Sequence, residues 1–64
     1  ISDDGAIDSV VTDVLAENTE HFEQYKNGKT NMFDYFVGQV MKKTRGQANP
    51  VKVKETLTNE LSKR

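Results

Sequence analysis

Lys42, Lys43, Arg45, Lys52 and Lys54 crowd one short stretch of this 64-residue chain, with the polar side chains of Gln39, Thr44, Gln47 and Asn49 between them. Cations and amides in that pattern suit an external anion. Lys42, Lys43 and Arg45 fall at the end of an expected helix, where the helix dipole favours a cation by about 0.3–1 kcal/mol. Lys52 and Lys54 fall in the first turns of the next helix, where the sign of the dipole is wrong for them. Cations placed where they are locally unfavourable point to a phosphate backbone as their partner. A corner with so few aromatics would read shape and phosphate, not base identity, and its residues alone do not separate RNA from DNA. Lys29, in the turn ahead of the third expected helix, is a secondary candidate.

Catalytic chemistry has no comparable cluster. Ser2, Ser9 and Ser62 lack a histidine within reach of their positions, and His21, the single histidine, reads as a solvated helix residue. Asp4 and Asp8 lie one helical turn apart, yet two carboxylates fall short of the roughly six to eight oxygens calcium takes. Neither a G-x-x-x-x-G-K-[ST] loop nor a G-x-G-x-x-G turn is present, so a self-contained nucleotide site is not expected. The expectation is a domain with no catalytic residue, no metal and no cofactor of its own.

The chain must position that corner with a small core. It is 34% hydrophobic, has no cysteine and so no disulfide, and has room for one domain. No apolar run approaches the roughly 20 residues that cross a bilayer, and no basic-then-apolar leader opens the chain, so no membrane span or signal peptide is expected. Starting at Ile1 and not at methionine, the chain reads as one domain, residues 1–64, cut from something longer. Its charge is strongly divided. Residues 1–25 carry seven carboxylates and no Lys or Arg, a net −7, whereas residues 26–64 carry nine Lys and Arg against three carboxylates, a net +6. Such a division fits a face turned to a polyanion and an opposite face that repels it, or two halves that attract each other.

The fold expected is all-α, a small bundle of four helices at about 3–17, 19–27, 31–45 and 50–62. Ile7, Val10, Val11, Val14 and Leu15 repeat on one helical face, and Ser2 or Asp3 can cap the start. Asn18 offers a side-chain cap to the second helix, in which Phe22 and Tyr25 share a face and Gly28 takes the left-handed close. Met32, Phe33, Phe36, Val37, Val40 and Met41 make the third helix the expected centre of the core. Gly38 within it lowers helix propensity by about 1 kcal/mol relative to alanine, which close helix contact or, as the lesser alternative, close approach of an external backbone would offset, and Gly46 is expected to end the helix. Asn49 caps the fourth helix with Pro50 at its first position, and Val53, Leu57 and Leu61 form its stripe, with a final turn expected to fray.

Gly38-Gln39-Val40-Met41-Lys42-Lys43-Thr44-Arg45-Gly46-Gln47-Ala48-Asn49-Pro50 closely resembles the hallmark segment of the GatB/YqeY C-terminal domain family. Upstream, the run from Val14 to Lys42 is similar to the same family's pattern, and the resemblance covers nearly the whole chain, with Thr19 standing where the family often has proline after the capping Asn. The resemblance implies a cytoplasmic tRNA-recognition tail in the B subunit of a bacterial amidotransferase. In such an enzyme, Glu mischarged on glutamine tRNA, or Asp on asparagine tRNA, becomes the amide at the expense of ATP and glutamine. It also implies that ATP and Mg act elsewhere in that enzyme and that the partners are the mischarged tRNA, the rest of the B subunit and the A and C subunits. The tail is understood to reach the outer corner of the tRNA. Lys42, Gly46, Asn49 and Pro50 fall on family motif positions, while Lys43, Arg45, Lys52, Lys54, Gln39 and Lys29 are candidates from charge and placement. Two other readings stand beside it: a module that docks within its parent enzyme without binding RNA, and a helix–turn–helix DNA reader, which would usually need a dimerising stripe that the sequence lacks.

Overall fold

In the computed structural model, which describes residues 4–63, the apolar stripes read from the sequence meet in one core. The helices are α1 (Asp4–Glu17), α2 (Thr19–Lys26), α3 (Met32–Lys43) and α4 (Pro50–Lys63), with no strand among the described residues. Ser2 and Asp3, the expected caps of α1, lie outside those residues. Helices α1, α3 and α4 pack pairwise. They supply Ile7, Val11, Val14 and Leu15, then Phe36 and Val40, then Val53, Leu57 and Leu61, all buried, and Ala48 of the α3–α4 turn closes the set. Helix α2 contributes no fully buried residue and lies against α3 and α1 through half-buried Phe22 and Tyr25. At eight residues it is too short to stand alone, so its helicity depends on that packing.

Three local expectations need correction. Asn18 does not cap α2. Its Nδ2 donates to the Val14 carbonyl at 2.8 Å, closing the end of α1, and its Oδ1 accepts from the Tyr35 hydroxyl at 3.0 Å. His21 is not a free surface group either, since its ring stacks on Tyr35 at 4.2 Å between centroids. Asn18, His21 and Tyr35 thus fasten the α1–α2 corner to α3. The last turn of α4 is held at a point where fraying was expected: Lys26 Nζ donates to the Leu61 carbonyl at 3.1 Å. That carbonyl is among the four at a helix end with no partner inside the helix, so a cation there supplies the missing bond and suits the dipole.

Candidate nucleic-acid interface

Two helix ends in this chain close in the same way with different residues. At the end of α2, Lys29 N donates to the Gln24 carbonyl at 3.0 Å and Gly28 N to that of Tyr25 at 3.1 Å. This is a Schellman motif with glycine, φ +111°, at the left-handed position. At the end of α3, Gly46 N donates to Met41 at 2.7 Å and Arg45 N to Lys42 at 3.2 Å, so the left-handed position is taken by Arg45, φ +56°, and Gly46 follows at φ +75°. Helix α3 therefore ends at Lys43, two residues before the expected boundary, and Arg45, not Gly46, makes the turn. A side chain in that conformation costs of order 1 kcal/mol relative to glycine.

Thr44 explains why the turn tolerates this. It is buried, its Oγ1 lies within donating distance of the carbonyls of Val40 (3.1 Å) and Met41 (3.2 Å), and the Ala48 N–H points at it from 3.4 Å. Thr44 thus belongs to the core side of the corner and not to the polar surface between the cations. Asn49 does cap α4: Val51 N donates to its Oδ1 at 2.9 Å, which leaves Nδ2 as the outward polar group. Gln39 is half-buried on α3.

The structure divides the five junction cations. Lys43 Nζ sits 3.0 Å from Glu17 Oε1 and 3.1 Å from Oε2, joining the ends of α1 and α3. Lys52 lies 3.9 Å from Glu55 and lines a groove with Asp8 and Glu60, on the side of α4 turned to the acidic helix. Lys54 is two residues on, about 200° around the helix axis, on the opposite flank of the buried Val53. Lys42, Arg45 and Lys54 are exposed, with no side-chain ion pair or hydrogen bond among the described residues. Lys29 is exposed beyond the opposite end of α3, about 20 Å from Lys42 at 1.5 Å per residue. Asp34 lies between them on the exposed side.

Gly38 does not serve close helix contact, the first of its two expected roles. It is exposed, and a Cβ built there meets nothing within 4 Å, so no helix packs closely against it. The glycine lowers the stability of α3 by about 1 kcal/mol relative to alanine with no packing gain in return. Val51, 62% exposed, is the large hydrophobic residue that sequence reading passed over. The signal for it was its position off the Val53, Leu57 and Leu61 stripe. Among the described residues no group of three or more His, Asp or Glu could hold a metal ion, and no helix is long and apolar enough to cross a membrane.

The class is set by a family model: the model of the GatB domain matches residues 1–61, and the chain belongs to that family. Among individual proteins, it is similar to the B subunit of the aspartyl/glutamyl-tRNA(Asn/Gln) amidotransferase of Lawsonia intracellularis, 56% identical over 63 residues, covering 98% of this chain and 13% of that protein. The proteins of the same name from Synechococcus sp. and Lysinibacillus sphaericus are 52% and 48% identical across 100% of this chain, which covers 12% and 14% of their lengths. The chain thus spans about an eighth of the curated relatives it matches. No solved structure matches it.

Proposed function

We propose that this domain is a tRNA-recognition tail of an aspartyl/glutamyl-tRNA amidotransferase, carried on its B subunit. It helps to hold tRNA mischarged with Glu or Asp while the remainder of the cytoplasmic enzyme, with its A and C subunits, performs the glutamine- and ATP-dependent conversion to the amide. The observation that carries this reading is the trio Lys42, Arg45 and Lys54, exposed and unpaired among the described residues, in a domain of this family. Gln39 and the Asn49 amide are the neighbouring donors, and Lys43 and Lys52 add positive field while held by Glu17 and Glu55. Lys29 would touch only a longer stretch of the same RNA. ATP and Mg are assigned to other parts of the enzyme, and no step of that chemistry is placed on these residues.

The test is the salt dependence of tRNA binding. Contact with three to four phosphates gives a slope of about −3 in log affinity against log salt, a loss of about 60-fold from 50 to 200 mM. A salt-independent affinity, or no affinity at 50 mM, would favour a module that docks within its own enzyme.

A further inference from the structure

Gly38 and Arg45 each stand where a different residue would serve the fold better. Alanine at 38 has open space and a better helix propensity, and glycine at 45 would relieve the positive φ, as Gly28 does at the matching position after α2. Neither choice is explained by packing, because both residues are exposed. Between them on the same side of α3 lies Lys42, one turn beyond Gly38, exposed and with no ion pair among the described residues. A glycine in the middle of an exposed helical face removes the side chain that would hold a partner away from the helix. A left-handed Arg45 carries its guanidinium on the turn, where glycine would present only backbone.

We propose that the line Gly38–Lys42–Arg45 is the seat of an RNA sugar–phosphate strand, which lies directly on the backbone of α3 at Gly38 and is clamped by the Lys42 ammonium and the Arg45 guanidinium. This rests on the tRNA-tail reading and assigns its contact line. Asp34, one turn before Gly38 on the same stripe, sets the limit of the seat, since its carboxylate repels phosphate. The strand therefore runs from Gly38 toward the α3–α4 turn and not along α3 toward Lys29. Arg suits the clamp because its planar fork meets a phosphate through two parallel bonds, which a lysine cannot do.

The experiment places Gly38→Ala, Gly38→Gln, Arg45→Gly and Lys42→Glu separately in a B subunit carrying this domain, assembled into the amidotransferase, and measures KM for mischarged tRNA and kcat. Melting of the 64-residue chain is followed in parallel. Gly38→Ala, Gly38→Gln and Arg45→Gly are expected to raise the melting temperature by about 4–8 °C. Gly38→Gln and Arg45→Gly are also expected to raise KM about tenfold with little change in kcat, with Gly38→Ala between them and the parent. A Gly38→Gln enzyme that is more heat-stable with an unchanged KM, beside a Lys42→Glu enzyme with a raised KM, overturns the contact line and leaves the tRNA reading standing. An unchanged KM in all four overturns both.

Discussion

Phe36→Ala is expected to leave the 64-residue chain unfolded or nearly so at room temperature. Phe36 is the largest fully buried side chain, and truncating a buried phenylalanine costs about 3–5 kcal/mol. A core of this size without disulfides or metal holds only about 3–5 kcal/mol in total. The loss would also spread. Tyr35 meets Phe36 edge-on at 5.8 Å, and Tyr35 in turn holds Asn18 and His21, so α2 would lose its anchor along with the core. Phe36→Leu keeps most of the volume and is expected to remain folded, at a cost of about 1–2 kcal/mol. Circular dichroism melts of the two variants check this: equal melting temperatures for Phe36→Ala and the parent would mean that α1, α3 and α4 do not share the core described.

The second large effect concerns binding. Lys42→Glu with Arg45→Glu is expected to weaken tRNA affinity about 100-fold, since each removes a charge-assisted contact of about 1.5 kcal/mol and a tenfold change corresponds to 1.4 kcal/mol. The salt slope should fall by about two. Arg45, not Lys43, is the partner in this pair, because a glutamate at 43 would face Glu17, which now holds Lys43 at 3.0 Å. That clash would confuse a binding defect with a folding one. The chosen pair is exposed, and its main structural cost is the helix dipole at Lys42, about 0.3–1 kcal/mol, which the fold can absorb. Fluorescence anisotropy with labelled tRNA measures it, and an affinity within threefold of the parent would remove Lys42 and Arg45 from the interface.

Helix positions were legible because the apolar spacing of Ile7, Val11 and Val14, of Phe36 and Val40, and of Val53, Leu57 and Leu61 has one period and one consistent face. The Asn49-Pro50 start was legible because cap and proline act locally. The errors at Asn18, His21 and the end of α4 share a different cause: each depends on a contact distant in sequence. Asn18 is drawn to Tyr35, 17 residues away, and so leaves α2 uncapped by its side chain. Thr44 is a local case: it looks like a surface hydroxyl until the chain turns and brings the Ala48 N–H to it four residues on, beside a turn whose left-handed residues are both Arg45 and Gly46. In the candidate interface, sequence located the corner but could not divide it. Adjacent basic letters do not reveal that Lys43 meets Glu17, 26 residues away, or that Lys52 and Lys54 leave α4 on opposite flanks.

The most direct measurement is an amide chemical-shift titration of the labelled chain with unmodified glutamine tRNA transcript at low and at physiological salt. Shifts concentrated from Gly38 to Lys54, strongest at Gly38, Lys42, Arg45 and Gly46 and diminished by salt, are the expected result. No shifts at low salt, or shifts confined to the acidic face of α1, would contradict an RNA-binding corner and leave docking within the parent enzyme as its function.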